Sequence, residues 1–135
     1  MASLVWNNKL NPTVELINIH FDKIDECIKH INNDIEDIHG NCENTNELIN
    51  QLEQLCQLHF IYEEQLLEGM NYPSANEHKD RHNLFLKTFE QFKLESNQCH
   101  SPGFINNFSR IRLDFVSNMN EDTMKLCDYI IDSYR

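Results

Sequence analysis

Apolar residues return at steps of three, four or eight along four stretches of the chain, with polar residues between them. From Leu16 through Ile24, Cys27, Ile31, Ile35 and Ile38 they mark one face of a helix. Asn11-Pro12 supplies its start, a capping side chain followed by proline at the first helical position, and His39-Gly40 its end. His20 falls in the gap between Leu16 and Ile24 and is expected to face the core. The second stripe runs through Leu48, Leu52, Leu55, Cys56, His59, Glu63, Leu66, Leu67 and Met70, opened by the capping-box-like Asn44-Thr45-Asn46-Glu47. After a turn at Asn71-Tyr72-Pro73, Ser74-Ala75-Asn76-Glu77 opens a third helix through His78, His82, Phe85, Leu86, Phe89 and Phe92. Ser101-Pro102 starts the fourth, with Phe104, Phe108, Ile111, Phe115, Met119, Leu126 and Ile130 on one face, widened by Leu113, Val116, Met124, Cys127 and Ile131.

The pattern predicts an all-α chain, an antiparallel up-down-up-down four-helix bundle with helices at about 12–39, 44–70, 74–94 and 102–133. Ahead of them lies an arm, 1–11, without helical period. Its Leu4, Val5, Trp6 and Leu10 would be wasted in a free tail, so it is expected to pack across the bundle. A chain of 135 residues is one domain's worth. Three glycines and three prolines starve β-turns and suit long helices.

Charge and cysteine narrow the function classes. A formal charge of −11 excludes a nucleic-acid partner, since no basic stripe exists to neutralise phosphates. The apolar runs are far too short to span a membrane, and no N-terminal apolar run resembles a secretion signal. Five cysteines, an odd number without a CxxC pair, suit reduced thiols in a cytoplasmic protein. Cys27, Cys56 and Cys127 lie near helix stripes and read as small hydrophobes, whereas Cys42 and Cys99 lie in loops, open to oxidants.

The candidate chemistry sits on the apolar stripes themselves. His59 and Glu63 are four residues apart, as are His78 and His82, so each pair aims two donor atoms from one helix face. The turn between them lets the pairs meet across a helix–helix interface. Any one of these residues alone is ordinarily a hydrogen-bonded structural group. Five on core stripes, His20, His59, Glu63, His78 and His82, need a shared partner, because an unpaired buried imidazole or carboxylate costs several kcal/mol. Imidazole and carboxylate suit iron, zinc or manganese. His30, His39 and His100 fall on a polar face, a helix end and a loop, and are expected to be exposed, as is Glu64.

These residues carry a resemblance to the hemerythrin family: Trp6 in the arm, His20 in the first helix, HFIYEE from His59 to Glu64, and YPSANEHKDRH from Tyr72 to His82. The resemblance implies a bundle holding two irons that bind O2, with His20 and His59 on one iron, His78 and His82 on the other, and Glu63 bridging. The family's fourth helix carries a His and, five residues later, an Asp; this chain has no histidine beyond His100. Aligning Phe115-Val116-Ser117-Asn118 on the family's Trp-Leu-x-Asn run places Met119 and Met124 at those positions, and this register has the better apolar face. The other register places Thr123 and Asp128 there. Asp122 or Glu121 is a candidate substitute carboxylate.

Two readings therefore stand beside a di-iron centre. The five remaining ligands could close around one metal ion, or the bundle could be a metal-poor structural module whose acidic surface binds a protein. The leading expectation is a cytoplasmic, non-haem iron protein that binds or senses O2 or iron. No enzyme is required, and a peroxidase-like di-iron activity ranks below both.

Overall fold

The computed structural model describes residues 11–37 and 39–133; the expectations for Leu4, Val5, Trp6, Leu10 and Ile38 lie outside them. Asn11 is the first helix's cap, its Oδ1 accepting from the backbone N–H of Thr13 at 3.1 Å and of Val14 at 3.2 Å. From there α1 spans Pro12–Glu36, α2 Cys42–Gly69, and α3 Ala75–Leu94. A short 3-10 turn, Ser96–Gln98, leads to α4 (Pro102–Asp114), which passes through a π-helical turn, Phe115–Met119, into α5 (Asn120–Ser133). The last three segments run end to end as the bundle's fourth helix. Ser101 caps it as the sequence predicts, accepting from the Phe104 N–H at 3.2 Å.

Pairings across the interfaces fix the direction of each helix. His20 meets His59 while Cys27 meets Leu48, so α2 runs antiparallel to α1. Glu63 meets His78 while Glu53 meets Lys93, which makes α3 antiparallel to α2. Phe92 stacks on Phe104, and Phe85 lies against Phe115, so the fourth helix returns antiparallel to α3. The result is an all-α four-helix bundle around one apolar core. Among the described residues no helix is long and apolar enough to cross a membrane.

Several details differ from the sequence pattern. In α1 the buried stripe is Val14, Ile17, Phe21, Ile24, Ile28, Ile31 and Ile35, a strict alternation of three and four, and Leu16 lies outside it at 38% exposed. Leu113 and Met124 likewise face solvent. Helix α2 begins earlier than its capping-box pattern suggests: Asn41 is the cap, accepting from the Glu43 N–H at 2.8 Å, and Thr45 is buried one turn in. Ser74 makes no side-chain cap bond; it sits in the turn after Pro73 at φ −106° and ψ 28°, outside the extended geometry that aims a cap hydroxyl inward.

The cysteines show the largest departure. Cys42 is the first residue of α2 rather than a loop thiol, and Cys99 is fully buried. The two form a disulfide across 57 residues of sequence, with Cα atoms 5.6 Å apart. This corrects the expectation of five reduced cysteines. The start of α2 and the loop between α3 and α4 meet at one end of the bundle, a proximity that sequence spacing does not reveal. Cys27, Cys56 and Cys127 are free and buried.

Candidate metal centre

Helical periodicity places His59 and Glu63 on the inner face of α2, and His78 and His82 on the inner face of α3. The reversal between the helices depends on Asn71, whose φ of 52° puts it in the left-handed region just after α2 ends. The two pairs then face each other across the interface. Glu63 is completely buried, and His59, His78 and His82 are at most 3% exposed.

The carboxylate of Glu63 divides its neighbours between its two oxygens. Oε2 lies 2.9 Å from His78 Nε2 and 3.0 Å from His82 Nε2. Oε1 lies 3.0 Å from His59 Nε2 and accepts a 2.6 Å hydrogen bond from the Thr123 hydroxyl. Burial alone would raise the Glu63 carboxyl, but the charge of His59 and the hydrogen bonds from His78 and His82 outweigh it and hold the group well below the ordinary carboxylate range. Glu63 is therefore an anion inside the core. Around it, Glu63, His78 and His82 offer ligand atoms that all lie within 4.8 Å of one another.

These residues fit a metal ion. His59 Nε2, although 3.0 Å from Glu63 Oε1, is not aligned for a hydrogen bond and counts as a buried nitrogen without a partner. His82 Nδ1 is also buried without one, since the Glu64 carboxylate, 3.6 Å away, is beyond hydrogen-bond reach. A core that leaves imidazole nitrogens unsatisfied beside an anion has the donor chemistry of a site for a hard or borderline cation.

His20 stands apart from this cluster. It is only partly buried, and its Nδ1 lies 3.0 Å from Nδ1 of His59 rather than from Glu63. Burial lowers its pKa, helped by His59 and Lys23 and opposed by Glu63. In this arrangement His20 orients the His59 ring from behind, in the manner of an outer partner to a ligating imidazole.

On the fourth helix, Thr123 is the residue that reaches Glu63. Met119 is buried, but Met124 is 41% exposed and faces solvent. The register that places Met119 and Met124 together at the centre is therefore corrected. Asp128 and Glu121 are exposed, and Asp122, although buried, is bonded to Arg81, so none of these carboxylates joins the group around Glu63. Sequence reasoning named Thr123 only as the occupant of a vacated position. Its role as a donor to Glu63 escaped because a hydroxyl is not a ligand type and its aim depends on the rotation of the helix.

Aromatic rings wall the centre. Phe60 stacks on His82 at 3.9 Å, Phe21 meets His59 edge-on at 4.8 Å, and Phe21 lies 5.0 Å from Phe115. A cleft of about 130 Å³ lined by His20, Lys23, Leu55, Leu58 and His59 opens beside the centre. Its volume holds only a few water-sized molecules. His30 and His39 are exposed as expected, whereas His100 is partly buried and donates from Nε2 to the Gly40 carbonyl, 3.0 Å away.

Comparison with known proteins agrees with this geometry. The chain is 29% identical over 94 residues to a bacteriohemerythrin of Stenotrophomonas maltophilia, a match covering 70% of this chain and 60% of that protein. It is 30% identical over 96 residues to bacteriohemerythrins of Pseudomonas aeruginosa and Pseudomonas paraeruginosa, with the same coverage. The chain thus matches 60% of the length of these curated relatives. No protein-family model matches it, and no solved structure gives a significant match.

Proposed function

Because the chain belongs to the hemerythrin-like family, we propose that it binds non-haem iron at the Glu63 cluster and, through that iron, O2 or a similar diatomic ligand. The observation that carries this reading is a fully buried carboxylate with three imidazole Nε2 atoms within 3.0 Å. Iron, when bound, supplies electrons and an open coordination position that no side chain provides. The chain's own residues do the rest. His78, His82 and Oε2 of Glu63 form a two-histidine, one-carboxylate set, a donor group suited to ferrous iron. His59 and Oε1 of Glu63 offer the start of a second position on the other side. Thr123 fixes the carboxylate plane by donating to Oε1, Phe21 and Phe60 keep water from the imidazoles, and the cleft beside His20 admits only small molecules. Nothing in this task needs a general acid or a nucleophile, so the proposal is a binding or sensing protein and not an enzyme.

A mononuclear version has its own support. The compact group is Glu63, His78 and His82, while the second side has one well-placed imidazole and a threonine hydroxyl, which is not a carboxylate bridge. Elemental analysis of protein purified without an affinity tag, with spectra of the reduced form before and after air, tests both. Two irons per chain and a new near-ultraviolet band are expected of a dinuclear centre, and one iron of the mononuclear version. His78→Ala should remove metal and colour together in either case. Failure to retain ferrous iron after reconstitution would overturn the proposal.

A further inference from the structure

A second cluster of ligand-type side chains lies at the other end of α2. Cys42, Cys99 and His100 offer two sulfurs and a ring nitrogen, all within 4.8 Å of one another. From Cys42 to His59 is seventeen residues of helix, ~25 Å at 1.5 Å per residue, so this cluster is separate from the centre around Glu63. We propose that Cys42, Cys99 and His100 form a zinc site that exists only when the Cys42–Cys99 disulfide is reduced. The inference does not rest on the iron reading.

The surroundings of His100 and Cys42 already suit ligation. His100 places Nε2 3.0 Å from the carbonyl oxygen of Gly40. A carbonyl only accepts, so Nε2 carries the proton and Nδ1 carries the lone pair. Nδ1 is buried and has no hydrogen-bond partner. Donation from one ring nitrogen to a backbone carbonyl, leaving the other free, is the usual posture of a zinc-ligating histidine. The backbone N–H of Cys99 lies 3.2 Å from Cys42 Sγ and donates to it, which would favour a thiolate there. Cys42 also occupies the first position of α2, where the helix's free N–H groups favour negative charge.

The change between the two states is small. With Cα atoms 5.6 Å apart, the sulfurs can separate to the ~3.8 Å set by two Zn–S bonds of ~2.3 Å through side-chain rotation. Cys42 and His100 are only partly buried, which gives a reductant and a cation a way in, and solvent can supply the fourth ligand of a tetrahedral ion. The chemistry balances. A dithiol reductant delivers an electron pair and two protons to the Sγ–Sγ bond, giving two thiols and the reductant's own disulfide. Zn2+ then displaces those two protons and binds both thiolates. Two thiolates with one imidazole suit Zn2+ better than the harder cations favoured around Glu63.

The full-length protein, reduced anaerobically with a phosphine, would be titrated with Co2+ as an optical probe. A thiolate-to-cobalt band in the near ultraviolet, saturating at one ion per chain and bleached by added Zn2+, is the expected result. The band reports sulfur ligation alone, so binding around Glu63 cannot imitate it. It should be absent from the oxidised protein and from Cys42→Ser, with Cys99→Ser as the second variant if the first loses helical circular dichroism. His100→Ala should weaken binding at least tenfold. No band in the reduced protein, a band that survives loss of either cysteine, or affinity unchanged in His100→Ala would each overturn the proposal. So would loss of helix on reduction itself. None of these results would bear on iron at Glu63.

Discussion

Thr123 shows how one side chain can hold a buried anion in place. The residue is 1% exposed, and its hydroxyl gives Glu63 Oε1 a 2.6 Å hydrogen bond. Thr123→Val keeps the shape but removes the donor, and hydrogen bonds to charged groups contribute about 1.5–3 kcal/mol. The metal-free variant should lose about that much in urea denaturation; a loss within the ~0.5 kcal/mol scatter of an ordinary surface substitution would show that the hydroxyl does not anchor Glu63. The free thiols give a second test at this scale. Burial, with Glu26, pushes Cys27 up to about 11, and burial, with Glu63 and Asp128, pushes Cys127 up to about 12, while fully buried Cys56 is raised further. At pH 8 a group with a pKa near 11 is about one part in a thousand thiolate, and thiolate is the reactive form. Iodoacetamide should therefore leave the native oxidised protein unlabelled, and mass spectrometry should find three labels once it is unfolded without reduction.

The helix ends show which local signals suffice by themselves. Asn11-Pro12 and Ser101-Pro102 were legible because a cap and its proline are chain neighbours, and both caps form. Ser74 carries an equally good pattern, yet its backbone belongs to the preceding turn and its hydroxyl caps nothing. That turn is set by Asn71 at φ 52°, and it aligns the histidines of α3 with Glu63 of α2. Left-handed backbone costs a side-chain-bearing residue about 1–2 kcal/mol, least for Asn and Gly. Asn71→Val should therefore destabilise the chain by about 1–2 kcal/mol, and Asn71→Gly should match or exceed the parent in thermal melting. Equal stability of the valine variant would mean that the turn does not depend on this conformation.

Across the whole molecule, what could be read from sequence was whatever repeats with the helical period. The four apolar faces and the pairs His59/Glu63 and His78/His82 follow from steps of three and four, so the bundle and the meeting of the pairs were both legible. Relations between distant segments were not. The Cys42–Cys99 bond joins residues 57 apart, and no periodic signal in either segment points to the other. The fourth helix failed for a related reason: without a histidine or aspartate as a marker, its rotation could not be fixed from its own residues.

That helix also contains the π turn at Phe115–Met119, where the Asn120 N–H reaches back five residues to the Phe115 carbonyl. Buried residues continue on both sides of it, from Phe104, Phe108 and Ile111 before to Leu126, Cys127 and Ile130 after. In the language of insertions and deletions, such a turn is a spare residue, stored where it does not disturb the core on either side. Removing Ser117 or Asn118, both exposed, should let the segment close into ordinary α-helix and leave thermal stability nearly unchanged. Removing Lys125, equally exposed but beyond the π turn, would rotate everything after it by about 100° and should unfold or strongly destabilise the protein. The chain can lose a letter from its fourth helix, but only at the one place where it carries a surplus.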